Sequence, residues 1–171
     1  AGWKSSVEFD ALGGEVYMIV VDGYGDSVTP VETGDIVLNW KTPPVNDDFE
    51  DATELTGLTG QDNGSNFDST KEPGEPNHPG IPSGVSVWWK WTPTSRGIVT
   101  VDTLGSGFDT LLAVYTGDSV TNLQEIVSND DAPGSVQSSV TFEAQRGTTY
   151  MIAVDSYSEE TGPIVINYDM P

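Results

Sequence analysis

The chain has no cysteine, so neither disulfides nor thiolate metal sites hold it together. Positive charge is scarce as well: 6 Lys plus Arg stand against 27 Asp plus Glu, a formal net charge of -21. A surface of that sign repels nucleic-acid phosphates and anionic lipid and attracts cations, which excludes nucleic-acid binding. There is one histidine, His78. A Ser-His-Asp triad would depend wholly on it, and neither a nucleophile-elbow motif nor HExxH accompanies it. No pair of carboxylates stands out for glycoside hydrolysis, so the expectation is that the chain is not an enzyme. No apolar run is long enough to span a bilayer, and no basic segment followed by an apolar stretch marks a signal peptide. Apolar residues at helical period are also nearly missing. What is abundant is Gly (19), Pro (11), Ser and Thr, the composition of an all-β chain rich in turns.

The chain also repeats itself. Residues 138–157, SSVTFEAQRGTTYMIAVDSY, and 5–24, SSVEFDALGGEVYMIVVDGY, align without a gap, with Ser-Ser-Val, Phe, Ala, Gly, Tyr-Met-Ile, Val-Asp and Tyr in register. The match resumes at 162–168 (GPIVINY) and 34–40 (GDIVLNW). One repeat usually means one structural unit. The second copy follows a long stretch of different, strand-like sequence, whereas the first follows only residues 1–4. The first copy therefore reads as the C-terminal half of a domain whose complete version comes later.

In chain order, Val7, Phe9 and Ala11 alternate with Ser6, Glu8 and Asp10 as in a half-buried strand. Gly13-Gly14 turns the chain, 16–21 reads as a second strand with Tyr17, Ile19 and Val21 on one face, and 36–40 as a third. Three strands with one apolar face are marginal alone in water, so residues 1–41 must dock on something. Residues 42–45 contain two consecutive prolines and form a short stiff linker. Residues 46–171 then form the complete domain. An acidic packet at 46–52, a polar stretch at 57–70 and a Pro-Gly loop at 71–80 lead to strands at 85–92, 98–103 and 110–115. In the first of these Val87, Trp89 and Trp91 share one face, and Trp88 and Lys90 the other. After a loop at 128–134 come the repeated strands. About eight strands over 46–171 suit an antiparallel β-sandwich of jelly-roll type, preceded by a three-strand partial repeat.

The succession NDDFEDA, TKEPGEPNH, SVWWKWTP, GFDTLLAVYTG, SNDD and FEAQRGTTYMIAVDSY resembles the bacterial pre-peptidase C-terminal (PPC-like) domain family. The resemblance covers 46–168 completely, and 5–40 matches only the C-terminal half of that family. It implies a secreted or cell-surface, extracellular β-sandwich without catalysis of its own, found beside hydrolases or in tandem surface arrays, with relatives that bind calcium and sometimes polymers.

Calcium requires six to eight oxygens gathered from flexible loops. Asn46, Asp47, Asp48 and Asp51 offer one packet, Asn129, Asp130 and Asp131 another, and Asp109 a further carboxylate. If the sandwich folds as its relatives do, the packets meet at one end of it. Glu72, Glu75 and His78 offer a second cation or contact site, against which stands the plainer reading of a loop stiffened by proline. Trp3, Tyr24, Trp40, Trp88 and Tyr157 are the candidate contact surface. The functional expectation is a non-enzymatic, calcium-binding structural protein that joins head-to-tail with itself into filaments or belongs to a tandem array. The alternative is an accessory domain that holds a polysaccharide or protein polymer for a secreted hydrolase.

Overall fold

The computed structural model describes residues 5–7, 9, 15–23, 33–82 and 84–171. The chain divides into two compact units, Ala1–Trp40 and Lys41–Pro171.

The second unit is a β-sandwich. One sheet has five strands in the order β1-β3-β8-β5-β6, and the other has four in the order β2-β9-β4-β7. The strands are β1 (Thr53–Leu55), β2 (Thr59–Ser65), β3 (Val87–Trp91), β4 (Gly97–Asp102), β5 (Thr110–Thr116), β6 (Gln124–Asn129), β7 (Ser139–Ala144), β8 (Tyr150–Ser156) and β9 (Pro163–Asp169). All neighbours pair antiparallel except β1 with β3. The all-β sandwich expected from the turn-rich composition is therefore what the chain forms. A single 3-10 turn, Phe49–Asp51, precedes β1.

Alternation places one face of every long strand between the sheets. Val87, Trp89 and Trp91 of β3, Leu112 and Val114 of β5, Ile152 and Val154 of β8, and Ile164, Ile166 and Tyr168 of β9 make the inter-sheet core. The five-stranded sheet is apolar on its other face too. There Trp88, Ala113, Tyr115, Met151 and Ala153 pack with Phe49 and Ala52 in a second cluster. Central strands buried on both faces read as unbroken apolar runs, and β5 and β8 do so.

β2 differs from the expected strands, because its sequence, TGQDNGS, has no aliphatic or aromatic residue and only Thr59 is β-branched. The core explains this. A Cβ on Gly64 would lie 2.8 Å from Cζ2 of Trp89, and one on Gly60 would collide with the hydroxyl of Tyr168. Large side chains from β3 and β9 fill the space under β2, so Gly60 and Gly64 have no room for a side chain, while Asp62 between them accepts the Trp89 indole N–H at 2.8 Å.

In the first unit, no described residue takes part in a hydrogen-bonded ladder, although three strands are expected there. The described side chains nevertheless alternate. Val16, Met18 and Val20 are each 87% exposed, whereas Tyr17, Ile19 and Val21 are 41%, 50% and 49% exposed. Within this unit the rings of Phe9 and Tyr17 lie 5.0 Å apart.

Candidate metal centre

β5 and β6 run antiparallel with Leu112 opposite Asn129, so the residue entering β5 and those leaving β6 share one end of the five-stranded sheet. Asp109 enters, and Asp130 and Asp131 leave. Hydroxyl groups fix the two segments beneath them. The Thr103 and Thr110 hydroxyls are 2.6 Å apart, and the Ser138 N–H donates to both, at 2.9 and 3.0 Å. The Ser138 hydroxyl lies 2.5 Å from the Asp130 carbonyl oxygen. Across the end, the Tyr157 N–H donates to the Asp109 carbonyl oxygen at 3.1 Å. The Asp109 N–H donates to Glu160 Oε2 at 3.4 Å.

This scaffold holds three carboxylates together: one oxygen each from Asp109, Asp130 and Asp131 lies within 4.8 Å of the others. Among the described residues no other group of three acidic, histidine or cysteine side chains is this close. Burial first, and then the negative charges of Asp131, Asp130 and Glu160, push the Asp109 carboxyl above its usual range. Burial followed by the charge of Asp131 does the same to Asp130. Oδ1 of Asp109 and Oδ1 of Asp130 are buried and accept no hydrogen bond. A buried acceptor without a donor is costly, and an uncompensated charge more so. A hard divalent cation removes that cost by taking oxygen ligands and neutralising charge, and carboxylate oxygens from two loops are the donor set that calcium takes. Backbone carbonyls, water or Glu160 would complete such a shell.

Of the expected ligands, the structure brings together Asp109, Asp130 and Asp131. Asn129 is turned to another task, since its Oδ1 accepts the Ser139 N–H at 3.0 Å at the start of β7. Asn46, Asp47, Asp48 and Asp51 do not join this group. Asn46 lies against β3, where its carbonyl oxygen accepts the Trp88 N–H at 2.8 Å and its Nδ2 donates to the Trp88 carbonyl at 2.9 Å. This is the same end of the sheet, but β3 and β8 lie between Asn46 and the start of β5, a separation of roughly 10 Å or more at ordinary strand spacing. Both carboxylate oxygens of Asp47 accept from Thr70, from the N–H at 2.7 Å and the hydroxyl at 2.9 Å, so Asp47 pins a loop. Asp48 and Asp51 are exposed. Glu160, which faces Asp109, was not among the expected residues. Its only sequence signal is one more acidic pair, Glu159-Glu160, in a loop.

Glu72, Glu75 and His78 are not an exposed site. His78 is fully buried, with Nδ1 2.7 Å from the Tyr115 hydroxyl and Nε2 2.8 Å from Glu75 Oε1. Ser86 also donates to Glu75 Oε1, and the Glu72 N–H donates to Oε2 at 2.9 Å. Burial alone would raise the Glu75 carboxyl, but hydrogen bonds from His78, Ser86 and the Glu72 backbone hold it below its usual range. Glu72 in turn accepts the Phe49 N–H at 2.6 Å. The loop, through His78, covers the outer face of the five-stranded sheet against Trp88 and Tyr115, a role that neither reading of it expects.

Trp88 corrects another expectation. It does point away from the inter-sheet core, but Phe49, His78 and Tyr115 cover it with ring centroids 5.3, 5.5 and 6.1 Å away, and it has no exposed surface. Trp40 and Tyr157 are exposed as expected, while Trp3 and Tyr24 lie outside the described residues.

No helix among the described residues is long and apolar enough to cross a membrane. No family model matches the chain, and no curated protein matches it. Among solved structures, the chain is similar to the pre-peptidase C-terminal domain of a collagenase from Bacillus anthracis, at 15% identity and a TM-score of 0.47, over 69% of this chain and 94% of that one.

Proposed function

We propose that the chain is a non-enzymatic, extracellular structural module of PPC-like type that binds calcium through Asp109, Asp130 and Asp131 and assembles head-to-tail with further copies of itself. The two buried, donorless oxygens of Asp109 and Asp130 carry the calcium reading. They sit in a chain with no disulfide to stiffen its loop-rich ends, where an ion bridging two loops serves as a cross-link. The non-enzymatic reading is supported by His78, the sole histidine, whose ring nitrogens both have partners and whose side chain no substrate can reach. Assembly is supported by the half-repeat, whose described apolar side chains, such as Val16, Met18, Val20 and Trp40, are exposed. A bound cation also screens the repulsion between copies of like charge. The alternative of a polymer-binding accessory domain loses Trp88 from its aromatic surface and keeps Tyr157 and Trp40.

Calorimetric titration of the purified chain with calcium tests the site. Saturable binding that disappears in Asp131→Asn and Asp130→Asn supports it, and unchanged binding in both variants overturns it. Electron microscopy in millimolar calcium and after chelation tests assembly. Fibres that shorten on chelation, and single beads after deletion of residues 1–41, are the expected outcome.

A further inference from the structure

The complete copy shows what the half-repeat lacks. Its counterparts of 5–11, 16–21 and 36–40 are β7, β8 and β9, and none of these three pairs with another. β7 pairs with β4, β8 lies between β3 and β5, and β9 lies between β2 and β4. They belong to opposite layers of a sandwich, so three strands of this sequence do not make a sheet of their own. The middle one carries the mark of a central strand. Like β8, buried at every position, residues 16–21 are apolar on both faces, and both faces carry exposed side chains. The β2–β5 framework that completes such strands is present once in this chain and is already filled by β7, β8 and β9. What a second copy still offers is its edges.

The two sides of the sandwich are not alike. On one side the edge strands β6 and β7 lie against each other. On the other, β1 is three residues long, while the seven-residue β2 is paired only with β9 among the described residues. An open groove of about 580 Å³ runs along this seam, lined by Pro44, Thr53, Gly64, Phe67 and Trp89. Phe67 and Val45 expose apolar surface there. Edge strands with unpaired backbone groups accept an added strand. We infer that residues 5–40 donate strands to a second copy of this chain at its β1–β2 seam, extending both sheets, rather than forming a sheet of their own. This deepens, and rests on, the assembly proposed above. The connector residues Pro43 and Pro44 also line the groove, and consecutive prolines keep such a connector extended.

The absence of cysteine makes the test clean. Two single-cysteine variants, Met18→Cys and Asn63→Cys, are mixed in calcium and bridged with a short bis-maleimide, and Met18→Cys is paired in parallel with Glu143→Cys on β7 at the opposite side. Light scattering on the unmodified chain is run beside them. Cross-linked dimers that form in the first mixture at least tenfold over the second support donation at the seam. Assembly with equal or reversed cross-linking overturns the seam and leaves assembly standing. A monomer by light scattering in calcium overturns assembly itself. A Met18→Cys/Asn63→Cys double variant that cross-links within one chain, without a rise in mass, shows docking in cis and overturns donation to a second copy.

Discussion

Residues 16–21 and β8 carry nearly the same sequence and meet opposite fates. Ile152 and Val154 are fully buried between β3 and β5, whereas Ile19 and Val21 stand half exposed in a segment without a ladder. Strand-forming pattern is thus common to both, and the strand itself appears where partners fill both edges. β-propensity measures fit to such neighbours more than an intrinsic preference of the backbone.

The comparison is most easily broken by truncating its two halves. Ile152→Ala should cost about 3–4 kcal/mol of the sandwich's stability, as a fully buried large-to-small change does, whereas Ile19→Ala should cost less than about 0.5 kcal/mol as an exposed one does. Chemical denaturation of both variants decides this, and equal losses would show that the half-repeat is already packed in the isolated chain. Trp88→Ala should cost about 3–5 kcal/mol, while Trp40→Ala, at an aromatic the half-repeat leaves exposed, should change little. An unchanged midpoint for Trp88→Ala would contradict the sealed outer layer.

Calcium should sharpen the contrast by stabilising only the complete copy. At a hundredfold excess over Kd a ligand of the native state adds about 2.7 kcal/mol, on the order of 10 °C in Tm for a domain of this size. Chelation should remove that increment, and Asp131→Asn should show none to remove. The smallest effect is a pH dependence. Asp109 and Asp130 have folded-state carboxyls raised above the unfolded value of 3.8. Their protonated forms therefore favour the fold, and that contribution is lost as pH rises through the folded values. Calcium-free protein should accordingly melt higher in mild acid than at neutral pH, and Asp109→Asn with Asp130→Asn should flatten the slope. Glu75, held below its usual range, works the other way, losing stability as pH falls through its folded value. Melting curves across pH in chelator would contradict these assignments if the slope were unchanged by the Asn pair.

β3, β4, β5 and β7 to β9 were legible because alternation or an apolar run survives in each. β2 was not legible, because Trp89 and Tyr168 occupy the volume its own side chains would fill, leaving Gly60, Asp62 and Gly64 facing inward. β6 keeps only Ile126 and Val127 as apolar signal. At the site, the clustering of Asp109, Asp130 and Asp131 across one end was expected only through the family resemblance, since the sequence shows the carboxylates but not the end they share. Asn46 and Asp47 offered the same chemistry in the sequence, yet each is committed to a partner far along the chain, Trp88 or Thr70. Asx side chains pin turns as readily as they bind metals, and only distance separates the two uses. His78 was illegible for a similar reason, since its decisive partner, Tyr115, is 37 residues away.

That buried histidine has one more consequence. Its Nε2 faces a carboxylate that only accepts, so the proton sits on Nε2. Burial raises the Tyr115 phenol well above its ordinary value, so it keeps its O–H 2.7 Å from Nδ1. Because the chain has a single histidine, one ring N–H resonance, protected from exchange only while the 71–80 loop is seated, reports by itself whether the outer layer is shut. The molecule therefore carries an unambiguous gauge for the opening of that layer, readable without any label.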